Sequence, residues 1–350
     1  MDAMLQTIEI SGASGDSTVT VGGTVPMVAD LVPKGARVFC VTDENVARLH
    51  GAALPLWPQL LIGQGEKSKT VETVLELFRP LLAQEADRGI FLVGVGGGIV
   101  CDVTGFLAST FMRGVRFGFV STTLLAQVDA SVGGKNGVNV DGYKNIMGTF
   151  NQPEFVLCPA DALSTLPTKE LGCGLAEILK HILIADAAML PYLEEHAEDA
   201  LAANPEVLGA LVAHSVRIKA GVVNQDEREA GERRKLNFGH TLGHAIEKLQ
   251  GVPHGHAVGI GTALAVRLSA RRGLIGQAEV ERVEALLHRL GLPTRPSVAA
   301  DAIIDTMRHD KKRAGERIHF VFLAELGRAV VESMPLAELE ADARAVLAEM

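Results

Sequence analysis

Cysteine is scarce and scattered. Cys40, Cys101, Cys158 and Cys173 are the only four in 350 residues, and no two have CxxC spacing. That argues against structural disulfides and against a thiolate zinc site. Long apolar runs are missing as well: stretches such as 90–95 and 182–185 fall far short of the roughly 20 residues that a bilayer span needs. The start, Met1-Asp2-Ala3-Met4, passes into an alternating Thr7-Ile8-Glu9-Ile10 with neither a basic nor an apolar leader region, so no signal peptide is expected. Positive charge is not in excess. With 33 basic against 42 acidic residues the net charge is −9, which disfavours a broad grip on nucleic acid or an anionic membrane. Internal repeats and low-complexity tracts are absent, and a hydrophobic content of 47% readily supplies a core. The expectation is a globular, cytoplasmic protein of one large domain or two.

Short apolar runs separated by glycine fill the first half. Residues 37–42 (RVFCVT), 60–62, 90–95 (IFLVGV) and 117–120 read as buried strands, with an amphipathic stretch at 70–83 between them. Residues 153–159 (PEFVLCP) look like the last strand. This alternation predicts a Rossmann-like α/β domain with a parallel sheet, spanning 1–160. From 161 to 350 the texture changes. Helical periodicity marks 175–184, 208–223, 234–249, 257–272 and 279–290, and only 318–323 (IHFVFL) reads as strongly extended. A mostly helical second domain follows, with the interdomain cleft as the default ligand site.

Residues 94–102 (GVGGGIVCD) overlap the end of a strand. Consecutive glycines let backbone N–H groups approach an anion, and a helix start behind them adds positive charge, which suits a pyrophosphate. The GxGxxG fingerprint is missing, because Cys101 stands where its third glycine belongs. A tight strand–helix turn without a ligand explains the same glycines equally well. A second glycine-rich stretch, 133–137 (GGKNG) followed by Tyr143-Lys144-Asn145, combines two lysines and an asparagine into a candidate phosphate clamp. The segment 65–69 (GEKSK) reads first as a solvated helix start.

Arg233, Asn237, His240 and His244 recur at intervals of four, three and four residues, which on an α-helix puts them on one stripe. Paired histidines at i, i+4 share a metal or divide metal and acid–base work, although solvated or core histidines make the same pattern. His254-Gly255-His256 follows a turn and can fold back beside that helix. Glu177 interrupts an apolar helix, and a buried carboxylate needs a partner. One glutamate and two histidines make a zinc set with a position open for substrate. His181, four residues beyond Glu177, is an alternative ligand.

Taken together, the segments GGGIVCDVTGF, FMRGVRF, STTLLAQVDASVGGKNGVN, YKNIMGTFNQP, LAEILKH, RRKLNFGHTLGHAIE and HGHAVGIG, with a late DKK, resemble the 3-dehydroquinate synthases of the sugar phosphate cyclase superfamily. They occur in the family's order over most of the chain. The resemblance implies a homodimeric lyase of the shikimate pathway, dependent on NAD and a divalent metal (zinc or cobalt). Its substrate would be 3-deoxy-arabino-heptulosonate 7-phosphate and its products 3-dehydroquinate and phosphate. NAD would oxidise an alcohol transiently, phosphate would leave, the hydride would return, and an intramolecular aldol step would close the ring.

By matching position, the resemblance makes Glu177, His240 and His254 the metal ligands. Asp129, Lys180 and Lys219 would surround the substrate hydroxyls. Lys135, Asn145, His244 and Arg113 would hold the phosphate, with Arg113 reaching in from a second subunit. Arg233 and Asn237, helped by Lys311 or Lys312, would hold the carboxylate. Cofactor contacts would come from Asp43 and Asn45; Gly65, Glu66 and Lys69; Gly97, Gly98, Ile99, Val100, Cys101 and Asp102; Thr122 and Thr123; Lys135 and Lys144; and Leu163, Ser164 and Thr165.

The chain departs from the family pattern at Asn136, where threonine is common, at 140–143, and at His256, where glutamate is common. Those departures keep a sister cyclase acting on sedoheptulose 7-phosphate in view as the alternative, although Asn237 and His244 are of the dehydroquinate type. A metal-dependent polyol dehydrogenase and a non-catalytic NAD-binding paralogue are more distant alternatives. Steady NADH production separates the dehydrogenase from a cyclase, and the filled acid, base and ligand positions argue against the paralogue.

Overall fold

The computed structural model describes residues 5–311 and 316–350. No helix among them is long and apolar enough to cross a membrane. The chain forms two compact units. Residues 1–167 and 205–228 make the first, and 168–204 and 229–350 the second.

The first unit is built on a seven-stranded sheet. Its strands are β1 (Gln6–Gly12), β2 (Gly15–Val21), β3 (Arg37–Asp43), β4 (Gln59–Ile62), β5 (Ile90–Gly96), β6 (Arg116–Ser121) and, after a separate ribbon of β7 (Lys135–Val140) and β8 (Tyr143–Phe150), β9 (Phe155–Cys158). The order is β1-β2-β9-β6-β5-β3-β4. Only the β1–β2 pair is antiparallel; the other neighbours run parallel. Every residue of β5 is buried, as befits a central strand covered on both faces, and this is why it reads as an unbroken apolar run. The helix Gly98–Thr110 leaves directly from its end, with Gly97 as N-cap. The helix Val71–Ala83 begins at Thr70, whose side chain accepts from the Thr73 N–H.

Two features differ from the sequence-based expectation. The glycine-rich stretch read from the sequence only as a phosphate clamp is part of an antiparallel ribbon, 135–150, turned by Asp141 and Gly142 with φ of 49° and 80°. Asp-Gly in that conformation is a favoured two-residue hairpin turn, so the chain does carry a local signal for it. The helix Pro205–Gln225 packs on β1 and therefore belongs with the first unit, whereas a linear division at residue 160 puts it in the second. Burial of its apolar face, not chain order, decides membership.

The second unit is helical apart from the ribbon β10 (Arg317–Glu325) and β11 (Arg328–Pro335). The expected strand at 318–323 lies within β10, and β11 is an addition. The helix His254–Arg271 packs on both Thr168–Ala185 and His240–Gln250. Glycines set the approach. A Cβ on Gly255 would lie 2.2 Å from Cys173 Cα, and one on Gly261 would lie 2.0 Å from the Gly239 carbonyl oxygen. Backbone therefore meets backbone at both places, which brings the start of the helix His254–Arg271 against Thr168–Ala185 and its middle against the start of His240–Gln250.

Candidate active site and metal centre

In the second unit, the two glycine contacts bring His240, at the start of one helix, and His254, at the start of another, to Glu177 in the middle of a third. Each imidazole Nε2 lies 3.4 Å from the same Glu177 Oε1. One donor atom from each of the three residues falls within 4.8 Å of the others. The far side of each ring is already committed. His240 Nδ1 is 3.0 Å from the Phe238 carbonyl oxygen, and since a carbonyl only accepts, that nitrogen carries the hydrogen. His254 Nδ1 faces Glu247 Oε2 at 3.4 Å, and a carboxylate accepts likewise. Both rings therefore present Nε2 inward, in the manner of metal-binding histidines oriented by an outer acceptor. The donor set, one carboxylate oxygen and two imidazole nitrogens, fits a divalent ion of the zinc or cobalt kind.

The electrostatics agree. Glu177 is fully buried and pairs with the Lys180 ammonium. Burial would raise its carboxyl, but Lys180 and the two imidazoles hold it well below the ordinary carboxylate range. Burial likewise pushes His254 down, and the Glu177 and Glu247 carboxylates outweigh it, taking the group up to about 10. The stabilisation carried by that proton is complete below the ordinary imidazole value of 6.5 and is lost as pH rises toward 10. A metal ion must displace the same proton. Binding of Zn²⁺ at about pH 7.5 is therefore expected to release about one proton, with apparent affinity rising up to about tenfold per pH unit below 10. Calorimetry in buffers of different ionisation enthalpy checks this; a heat independent of buffer contradicts it.

His244 stands next to this triad. The ring centroids of His240, His244 and His254 form a triangle with sides of 5.1, 5.5 and 6.1 Å. His181, buried one turn beyond Glu177, lies outside this triad but also offers a donor atom within 4.8 Å of a Glu177 carboxylate oxygen, whereas His256 joins no such group among the described residues. Burial and the Lys169 charge push His256 below its ordinary value.

The single helical stripe running from Arg233 to His244 is not formed. Residues Glu232–Asn237 make a 3-10 turn, Gly239 takes a left-handed φ of 76°, and the α-helix begins only at His240. Gly239 is fixed by its surroundings, since a Cβ there would sit 2.8 Å from the Thr262 backbone nitrogen. Arg233 is 3% exposed in that turn, and the Asn237 amide donates to Glu229. Glu229 is absent from the motifs of the sequence. It lies eight residues before Asn237 with a left-handed φ of 62°, and no periodic pattern marks such a residue.

The first unit gathers the remaining residues. Asp129 lies in a short π-helical turn, Ala126–Ala130, a form that often marks functional sites. Lys219 donates to its backbone oxygen at 2.6 Å and to its carboxylate. Lys69 pairs with Asp102, whose carboxyl burial raises against the pull of that ammonium. Asn139, which no motif singles out, joins two of the predicted segments. Its amide donates to Glu66 (2.8 Å), its Oδ1 accepts from the Asn145 N–H (2.9 Å), and its own N–H reaches the Lys69 carbonyl (2.8 Å).

Asp43 caps the helix Glu44–His50 through Oδ1 alone, accepting from Asn45 and Val46. Thr123 accepts from the Ala126 N–H at 3.1 Å, and Thr165 bonds His50 at 3.2 Å. Gly97 and Gly98 are packed against Thr123 and Ala130. Lys135, Lys144 and Asn145 are exposed on the ribbon, and Arg113 is exposed with a φ of 68°. Lys312 lies outside the described residues, and so does the side chain of Lys311.

Comparison with known proteins covers most of the chain. Residues 59–173 match the model of the 3-dehydroquinate synthase N-terminal family, and residues 174–313 match that of the 3-dehydroquinate synthase C-terminal family. A 3-dehydroquinate synthase from Caulobacter vibrioides is 42% identical over 322 residues, 87% of each chain. One from Halorhodospira halophila is 43% identical over 303 residues, 84% of this chain and 86% of its own. Among solved structures, the 2-epi-5-epi-valiolone synthase of Streptomyces hygroscopicus, with NAD⁺ and Zn²⁺ bound, superposes with a TM-score of 0.87 at 27% identity, covering 99% of this chain and all of that one. A 2-deoxy-scyllo-inosose synthase complexed with carbaglucose-6-phosphate, NAD⁺ and Co²⁺ gives 0.85 at 25% identity, with 97% and 99% covered.

Proposed function

The chain belongs to the 3-dehydroquinate synthase family, and from that premise we propose that Glu177, His240 and His254 form its metal centre and serve the family's reaction. The reaction converts 3-deoxy-arabino-heptulosonate 7-phosphate to 3-dehydroquinate and phosphate with no net redox change. The observation that carries the metal assignment is the pair of imidazoles turned Nε2-inward on one buried carboxylate.

A bound divalent ion supplies Lewis acidity toward a substrate hydroxyl, and bound NAD supplies a hydride acceptor restored within each turnover. The protein does the positioning. Lys180 neutralises Glu177 and keeps it ionised in a dry setting. Asp129 and Lys219, locked to each other, present a fixed acceptor and donor to the substrate hydroxyls. Lys135 and Asn145 bind the phosphate, and lysines on an ordered ribbon favour its departure as an anion. Arg233, buried and planar, faces a carboxylate with Asn237 beside it. The glycine-rich 96–98 turn, the Lys69–Asp102 pair and Asp43 line the cofactor's place.

The test is a phosphate-release assay on the heptulosonate phosphate with NAD present, followed at the reduced-nicotinamide absorbance. Phosphate should appear while the absorbance stays flat. A steady rise in step with turnover would make the protein a dehydrogenase.

The working form is a cytoplasmic homodimer in this reading. Met112, Tyr143, Ile146, Met147 and Phe150 are exposed apolar side chains of the β8 ribbon and of the turn that carries Arg113, and a second copy covering them would contribute that arginine. Sedimentation should show two chains per particle. A monomer with full activity would exclude the shared arginine.

A further inference from the structure

Neither the sequence motifs nor the chemistry above accounts for Glu227. It follows the helix Pro205–Gln225, which carries Lys219, and is only 9% exposed. Its carboxylate accepts from the Ser14 N–H at 3.2 Å, from the Ser14 hydroxyl, and from the Gln152 amide at 3.1 Å. Asn224, on the same helix end, accepts from the Ser11 N–H at 2.9 Å. The β1–β2 turn is thus fastened to the end of this helix.

The contact with Gln152 leads further. Gln152 is 5% exposed, and its backbone N–H reaches the Ser14 carbonyl at 3.4 Å. Its side-chain amide lies flat against Gly134, where a Cβ would come within 2.8 Å of both Cδ and Nε2. Gly134 also has a φ of 69°, so no other residue suits the place. The Gly134 carbonyl accepts from the Asn151 N–H at 2.9 Å and from the Asn136 amide at 3.0 Å; that amide also reaches the Asn151 carbonyl at 2.9 Å. Asn136, at a position where the family often has threonine, therefore completes a polar floor under the turn that leads into Lys135. Hydrogen bonds from Ser14 and Gln152 hold the Glu227 carboxyl below its ordinary value although burial opposes them, so it serves as an ionised acceptor.

We propose that Glu227 is a positioning residue for the sugar-phosphate end of the site. It holds the Gln152 amide against Gly134, and so fixes the backbone that sets Lys135, while anchoring the helix that bears Lys219. It touches no substrate. The assignment rests on the proposed phosphate-binding role of Lys135, whereas the coupling from Glu227 to Gly134 can be read without any substrate.

Two measurements on the full-length protein decide it. Glu227→Gln keeps the size of the side chain but places an NH₂ donor among groups that themselves donate. Without substrate, backbone hydrogen exchange across 133–137 should accelerate by about tenfold or more in this variant. Gln152→Leu should do the same, and the double variant should add little. With substrate, KM for the sugar phosphate should rise by about tenfold while kcat stays within about twofold and KM for NAD is unchanged. If Glu227→Gln loosens residues 12–15 and leaves 133–137 and KM as in the wild type, Glu227 merely fastens the β1–β2 turn and the proposal is overturned. Should Glu227→Gln not fold, hydrogen exchange in Gln152→Leu decides by itself: acceleration across 133–137 supports the coupling, and wild-type rates there overturn it. A wild type that releases no phosphate from seven-carbon sugar phosphates would remove the functional reading, and the exchange result would still settle the coupling.

Discussion

Glu177→Gln is expected to give a folded protein that, after gel filtration, retains less than about a tenth of an equivalent of metal, with kcat lowered about 10³-fold or more. The amide keeps the shape of the carboxylate but loses the charge that draws in both the cation and the Lys180 ammonium. Glutamine is the informative substitution. Alanine would also leave a buried ammonium without its partner, at a cost of about 3–5 kcal/mol, and would confuse instability with loss of metal. His240→Ala should behave alike in metal content, because one of two nitrogen donors is gone. Glu247→Gln should be milder, with metal affinity weaker by about 10–100-fold, since it only orients His254. One full equivalent of zinc in both Glu177→Gln and His240→Ala would sink the assignment.

The second large effect concerns substrate choice. The heptulosonate phosphate carries a carboxylate that sedoheptulose 7-phosphate lacks. In the proposed reading Arg233 bonds that carboxylate, a contact the other sugar cannot make, and a site built to bond a polar group rejects an analogue lacking it by about 10⁴-fold, far beyond what a lost apolar contact yields. Wild-type kcat/KM should therefore favour the acid by about that factor. In Arg233→Ala the preference should collapse, by a fall of the acid's kcat/KM toward the other's and not by a rise of the latter. Arg233 is 3% exposed, so its truncation also threatens the 3-10 turn. Circular dichroism and metal content of the variant separate that outcome from a change of specificity. Faster turnover of sedoheptulose 7-phosphate by the wild type would assign Arg233 another role and favour the sister-cyclase alternative.

The half built on the parallel sheet was legible because its physics is local and one-dimensional. Strands β3, β5, β6 and β9 are buried along nearly their whole length, on both sides of the pleat, which leaves them as apolar runs in the chain. The ribbon at 135–150 carries no such signature, as almost every residue of β8 is exposed, and only the Asp141-Gly142 turn announced it. Periodicity failed between Arg233 and His244 for a different reason. The intervals suit a helix, but Gly239 is pinned in a left-handed conformation by backbone from a helix more than twenty residues later, and no local pattern carries that information.

Sequence alone was enough for the family and the parallel sheet, and it supplied the residue types of the proposed metal group. Charge, apolar period and motif spacing are properties of the chain itself. Tertiary structure decided which nitrogen of each histidine faces Glu177, that Glu247 orients one of those rings, that Asn139 and Glu227 bind distant turns together, and that the Lys219 helix belongs with the sheet. Each depends on hydrogen-bond partners or glycine contacts brought together by packing. Their separation in sequence is arbitrary, so no period or spacing could have revealed them.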